Sequence, residues 1–292
     1  MPIAYPTINQ KPEVFLSREE EISLYYHSIF EYPLTAMELI KWSAGKKARS
    51  NSPQATSIKN KNGLFFVGES EGVILKRLMR KRISARKIEI AKRVAKIISF
   101  IPTVKVVAIT GALAMENATD ESDIDLMIIA KKGTLWTTRA FTYLLIGLFG
   151  IKTRRPKEKT QRDKLCLNMW LDESDLVWFP KKRNIYTAHE IAQLRPLVNR
   201  DQVYEKFMSR NNWIKEYWPN AVKIQNLKFK VRSSPKLFIF NFSFLTHAFE
   251  KLAFKLQYSY MRKKITRETV TVTRALFHPV DWGKYVLQKL EG

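Results

Sequence analysis

The sequence predicts a mixed α/β protein, with a central core of strands and helices between two largely helical flanks. Three observations carry that expectation. Two β-branched and aliphatic runs, 104–110 and 122–130, read as buried strands separated by a glycine turn and a short helix. Residues 72–99 keep one helical period throughout. Residues 201–292 are rich in aromatic and aliphatic side chains near helical spacing.

Composition bounds the reading. The chain has 292 residues, with 51 Lys plus Arg against 27 Asp plus Glu, a formal net charge of +24. The length suits two domains, or one large domain with appendages. A hydrophobic fraction of 45% excludes wholesale disorder. The lone Cys166 excludes an intrachain disulfide and a multi-cysteine zinc site, and fits a reducing, cytoplasmic setting. The first ten residues lack the basic start and apolar core of a signal peptide. No transmembrane span is expected. The apolar stretch Ala140–Ile151 is too short, and Leu237–Leu256 is interrupted by Asn241, His247, Glu250 and Lys251. That segment reads as a buried helix, with an interfacial helix as the alternative. The excess charge points to a polyanion or an anionic surface as partner.

Residues 1–16 carry three prolines and read as an irregular arm. Residues 17–71 form the next unit. Ser17 and Glu20 spell a capping box for a helix over 18–30, whose apolar face is Ile22, Tyr25, Tyr26 and Ile29. Thr35 caps a second helix that faces inward with Leu39, Ile40 and Trp42. The tract 45–62 is a loop or a third helix. Asn62 and Gly63 make a turn before a strand over 64–67. Helix, helix, uncertain segment and strand resemble a winged helix-turn-helix, a unit that binds DNA or contacts proteins.

Between Val73 and Lys96 the connecting helix 72–99 carries ten Lys or Arg and a single Glu. Its apolar positions are Ile74, Leu75, Leu78, Ile83, Ile88, Ala91, Val94, Ala95 and Ile98. So lopsided a face suits contact with phosphates more than simple solvation. After Pro102 the core, 100–200, begins.

Its chemistry lies in the turn and the second strand. Gly111 lets the backbone approach a ligand, and the helix opening there offers unpaired N–H groups to a phosphate. Side chains two apart on a strand share a face, so Asp123 and Asp125 present paired carboxylates while Ile124 and Leu126 point inward. Such a pair is costly unless a cation neutralises it, and hard oxygens select Mg²⁺ or Mn²⁺. Metal beside a phosphate cradle is the equipment of in-line phosphoryl or nucleotidyl transfer.

Residues 110–114 and 122–126 resemble the signature of the DNA polymerase beta-like nucleotidyltransferase superfamily: a hydrophobic residue, Gly, Ser or Gly, a spacer, then Asp-hydrophobic-Asp-hydrophobic. The resemblance spans roughly residues 100–190, and 165–168 and 188–191 are similar to uncharacterised nucleotidyltransferase-domain proteins with an N-terminal winged helix. It implies a nucleotidyltransferase core with a mixed sheet. It also implies Asp123 and Asp125 as catalytic metal ligands, Gly111, Ala112 and Ser122 at the nucleotide, and an NTP as substrate. Two positions depart from the pattern. Ala112 removes a hydroxyl contact to phosphate. On the third strand, 164–171, Asn168 stands where a third carboxylate is implied; it can hold a metal or orient a hydroxyl but cannot accept a proton. Asp172 lies too far along the strand to substitute.

Three resolutions stay open: Asn168 as a ligand, Glu190 arriving from the following helix, or a site that binds nucleotide without turning it over. Thr187 as N-cap would place His189 and Glu190 in a first helical turn. Cys166 reads as buried packing.

A helix over 134–149, facing inward with Leu135, Trp136, Phe141, Leu144, Leu145 and Leu148, should cover one face of the sheet. The loop 152–164 holds seven Lys or Arg and two acids, either at the rim of the site or as a free surface loop. In the C-terminal helical domain, 201–292, core is expected at Tyr204, Phe207, Met208, Trp213, Ile214 and Trp218, followed by a basic linker over 223–236. One helix should run over 237–264 and continue through 266–276, until His278 and Pro279 stop it. Tyr258, Tyr260 and Trp282 among basic residues suit single-stranded nucleic acid or a core stripe with a basic rim. The functional expectation is Mg-dependent nucleotidyl transfer to a hydroxyl on a polyanionic acceptor such as RNA or DNA. The alternative is a catalytically silent nucleotide-binding or DNA-binding regulator.

Overall fold

The computed structural model describes residues 16–51, 57–68, 70–154, 158, 160–222, 243–263, 265–266, 268–277 and 282–291. Two sheets organise them. The small antiparallel sheet has the order β1-β3-β2, from β1 (Leu34–Thr35), β2 (Ile58–Lys61) and β3 (Leu64–Val67). The large sheet is six-stranded and mixed, in the order β7-β4-β5-β6-β9-β8. Its strands are β4 (Val104–Ile109), β5 (Ile124–Ala130), β6 (Leu165–Asp172), β7 (Arg195–Asn199), β8 (Thr269–Val270) and β9 (Arg274–Leu276). Strands β5 and β6 pair in parallel, and the other neighbours are antiparallel. Parallel neighbours need a crossover, which α5 (Leu135–Leu148) supplies.

The first helix, α1 (Arg18–Ser28), starts in a capping box of Ser17 and Glu20. A second box, Thr35 with Glu38, starts α2 (Ala36–Lys41). Leu39 and Trp42 are buried as expected, but Ile40 is exposed. The ambiguous tract contains a 3-10 helix, Lys46–Asn51, and then β2; residues 52–56 lie outside the described set. Asn62 and Gly63 take positive φ at the β2–β3 turn, a geometry that suits hairpins.

Helix α3 (Gly72–Ile98) has a different inner stripe from the expected one. Ile74, Arg77, Ser84, Lys87, Ala91, Val94 and Ile98 are buried, while Leu75 and Leu78 are 62% and 52% exposed. The stripe keeps its helical period, but its N-terminal half meets polar groups of α2 and of the turns around residues 118–122 and 163 instead of the sheet. Arg77 there pairs with Glu38 and Lys87 with Asp163. Lys76, Arg80, Arg86 and Lys92 are paired with acids too, so much of this helix's charge is spent inside the molecule.

On α5, Leu135 and Trp136 are buried, yet Phe141, Leu144 and Leu148 are exposed, contrary to the expected face. Thr138, Thr142 and Ile146 face inward instead. The Thr142 hydroxyl can point inward because it donates to the Thr138 carbonyl, 2.8 Å away.

The C-terminal third is less helical than its composition suggests. Helix α6 (Ile185–Ala192) precedes β7, and α7 (Val203–Arg210) follows it. All six aromatic and aliphatic residues expected as core between Tyr204 and Trp218 are buried. The basic linker 223–236 lies outside the described residues, as do 237–242 and 278–281. Helix α8 runs over Ser243–Met261 and α9 over Trp282–Glu291. Residues 266–276 do not continue α8. They form β8 and β9, which extend the large sheet beyond β6. The alternating β-branched residues at 269–273 favour this pleated pairing over a helix. Among the described residues, no helix is long and apolar enough to cross a membrane.

The sheet is covered on both faces, and its strand residues alternate between the two cores. Met127, Ile129, Met169 and Leu171 join one cluster with side chains of α1, α6, α7 and α9. Ile124, Leu126, Ile128, Leu167 and Trp170 join the other with α3 and α5.

Candidate functional site

The site begins at the β4–α4–β5 turn, where α4 is Gly111–Ala114. Gly111 has φ +63°, and a Cβ there would lie 2.9 Å from Asp125 Oδ2. Both the backbone conformation and the close approach require glycine. The Thr110 N–H donates to the Asp125 carbonyl at 3.1 Å and ties the turn to β5.

Asp123 precedes β5 and Asp125 lies on it, opposite Cys166 of β6. Ligand atoms of Asp123, Asp125 and Cys166 all lie within 4.8 Å of one another. A β-bulge adds Asn168. Register shifts between the Asp125–Cys166 and Met127–Met169 pairs, so Leu167 and Asn168 together oppose Leu126. Leu167 goes to one core, and Asn168 turns to the aspartates. Asn168 Nδ2 donates to Asp125 Oδ1 at 2.7 Å, while its own Oδ1 is buried without a partner among the described residues.

A cation from the basic loop completes the cluster. Arg154 Nη1 donates to Asp123 Oδ2 at 3.0 Å and lies 3.8 Å from Cys166 Sγ. Its backbone is held to β6 through the Leu165 carbonyl. Two other cations of the loop are paired nearby, Arg162 with Asp120 and Lys164 with Glu158.

Burial and then the neighbouring Asp123 charge push the Asp125 carboxyl up to about 7. The Cys166 thiol is pushed up by burial and by both aspartates. It is therefore a neutral thiol beside two carboxylates. Two carboxylates and an unpartnered amide oxygen form a hard oxygen set that fits a divalent cation such as Mg²⁺ or Mn²⁺. A protonated thiol is the weakest of the four donors for such an ion.

Glu190 also reaches the turn, by a route different from the expected one. Helix α6 is capped by Asn184, with Thr187 at its third position, so Glu190 sits in the second half of the helix rather than the first turn. The macrodipole at a helix start does not explain it. Instead the Gly111 N–H donates to its carboxylate, and Gln193 donates to it at 2.5 Å and to the Gly111 carbonyl at 3.3 Å. Burial, followed by the Asp125 charge, pushes Glu190 up to about 8.

Among the other expected residues, Ala112 follows Gly111 in α4 and Ser122 precedes Asp123, while Asp172 and His189 lie away from the cluster. The Ser122 hydroxyl donates to the Thr119 carbonyl within its own turn, and Ala112 is exposed. Asp172 is buried at the far end of β6, where it accepts from the Gly133 and Ser174 N–H groups. His189 points away from the aspartates into an aromatic cluster, 3.2 Å from His27 and stacked on Trp42. The reading of Cys166 as inert packing misses its place in the cluster; only its pairing with Asp125 across a parallel register reveals that.

No protein-family model matches the chain, and no curated protein does. A solved structure described as "Crystal structure of the toxin-antitoxin with AMP-PNP" is similar at 13% identity, over 49% of this chain and 98% of that one. Its TM-score of 0.24 is too low to carry fold or function across. The site stands on its own geometry.

Proposed function

We propose that this chain is a nucleotidyltransferase, moving a nucleotidyl group from an NTP to a hydroxyl of a polyanionic acceptor with Mg²⁺ or Mn²⁺ bound at Asp123 and Asp125. The observation that carries the reading is the paired aspartates held against Gly111, with the unpartnered Asn168 oxygen beside them. When bound, the cation would neutralise the paired carboxylates and the phosphate charge that develops in transfer. Gly111 and the backbone donors behind it would receive phosphate. There Glu190 now accepts the Gly111 N–H, so phosphate and Glu190 compete for one donor. Asn168 would orient the acceptor hydroxyl, and Glu190, pushed up to about 8, would take its proton once ionised near and above that pH.

The test is transfer of label from NTPs in the presence of Mg²⁺ to candidate acceptors, RNA and DNA ends first. Absence of transfer under all conditions, or transfer undiminished by Asp125→Asn, would rule the reading out.

A second reading, a catalytically silent nucleotide-binding or DNA-binding regulator, is favoured by one observation. Arg154 and Asn168 already satisfy one oxygen of each aspartate. The N-terminal order of helix, strand, helix, 3-10 helix and hairpin supports a winged-helix-like DNA contact. This reading expects salt-dependent duplex binding that survives Asp123→Asn and weakens on charge reversal at the exposed Lys81 and Arg82 of α3.

A further inference from the structure

A cavity of about 690 Å³ lies beside the aspartate cluster, on the same sheet face. Its floor includes Met169, next to Asn168, and Glu190, which reaches Gly111. Its walls are aromatic: Trp178, Tyr186 from α6 and Trp282 from α9. Lys181, Lys182 and Lys284 stand around it and outnumber Glu190, the one acid among its lining residues. The volume suits one nucleotide-sized ligand.

Trp178 is 7% exposed and its indole N–H has almost no accessible surface, so the residue offers the cavity ring carbon rather than a donor. Trp282, by contrast, is 48% exposed and stands edge-on to Tyr285 at 5.6 Å, available as a stacking platform.

We propose that this cavity binds a nucleobase carrying a phosphate, with the ring against Trp178 and Trp282 and the phosphate among the lysines. Aromatic walls select a planar ring, and the three cations select an attached anion. An aliphatic ligand would not stack, and a bare anion would leave the aromatic walls unused. This binding requires neither aspartate nor metal. Where it rests on the transfer reading, the bound group is the terminal nucleotide of the acceptor, since Glu190, the carboxylate assigned there to the acceptor's proton, lines the cavity.

The experiment is calorimetric titration of the full chain without divalent cations, using three probes: 5′-AMP, a short single-stranded RNA, and ribose 5-phosphate. AMP, RNA or both should bind saturably, with ribose 5-phosphate at least about tenfold weaker. The double variant Lys181→Ala with Lys182→Ala, which removes two of the three cations and keeps the aromatic walls, should weaken binding about tenfold. Trp282→Ala, at an exposed position, should do the same if the first variant folds poorly. Binding by AMP assigns a free nucleotide, and binding by RNA alone assigns a strand end. Equal affinity for ribose 5-phosphate, or no saturable binding by any probe, would overturn the proposal. So would loss of AMP binding on Asp125→Asn, which would move the ligand to the aspartates. Transfer activity that fails while AMP binding persists would refute the transfer reading and leave this one standing.

Discussion

Asn168 donates its side-chain amide to Asp125 at 2.7 Å and is left with a buried oxygen that has no partner among the described residues. The residue thus stabilises a carboxylate with one end and carries an unmet acceptor at the other. A cation drawn to Asp125 would displace that donor, and a turn of the amide would bring the oxygen to it. We expect Asn168→Ala to weaken Mn²⁺ binding by about tenfold or more, as loss of a supporting metal partner commonly does. Binding followed by paramagnetic relaxation checks it, and unchanged affinity would take Asn168 out of the site.

Asp125→Asn should separate activity from stability. Transfer should fall by about 10²–10³-fold. Thermal stability without metal should rise, because the change removes one of two buried like charges. A variant that is both active and less stable would show the carboxylate to be structural.

Gly111→Ala forces a side chain into positive φ and toward an oxygen only 2.9 Å away. A cost of about 1–3 kcal/mol is expected in denaturant unfolding, together with weaker Mn²⁺ binding as Asp125 is displaced. Wild-type stability in this variant would mean the turn relaxes freely.

The acidic groups set a pH dependence. Asp125 and Glu190 hold their protons up to about 7 and about 8, well above the ordinary carboxylate range. The folded chain therefore binds more protons than the unfolded chain between about pH 4 and pH 8, and their contribution to stability falls as pH rises through that window. Each group contributes at most about 1.4 kcal/mol per pH unit. Added Mg²⁺ should raise the melting temperature more at pH 8 than at pH 6. The metal-free slope should flatten in Asp125→Asn and in Glu190→Gln; identical slopes in all three proteins would contradict it.

The histidine pair acts in the opposite sense. His27 Nδ1–H donates to the Ser23 carbonyl at 2.7 Å, so its bare Nε2 must accept the Nε2–H of His189 at 3.2 Å. Burial holds His27 down at about 4 and keeps His189 well below the ordinary imidazole range. Both stay neutral when folded, and the stability they provide is lost as pH falls from about 6.5 toward 4. Nitrogen NMR should find His27 protonated on Nδ1 and His189 on Nε2; any other pair of tautomers would break the bond between α1 and α6.

Local chemistry was readable along the chain. Ser17 with Glu20 and Thr35 with Glu38 start helices where their side chains reach the third N–H. The Gly111 turn and the two aspartates follow from φ and from the two-residue period of a strand. Errors arose where the deciding contact is distant. Leu144 and Leu148 look like core, but Thr138 and Thr142 take the inner face of α5. Residues 269–276 looked like helix because the β6 edge they join is a hundred residues away in sequence.

The sequence by itself determined the paired carboxylates, the glycine beside them and the basic balance around them, because these depend on neighbours along the chain. Only the tertiary structure decided that Cys166, Asn168, Arg154 and Glu190 converge on that pair. Their meeting depends on the parallel register of β5 with β6, on one bulge, and on α6 packing across the sheet. Register and packing are set by long-range burial, which no local spacing encodes.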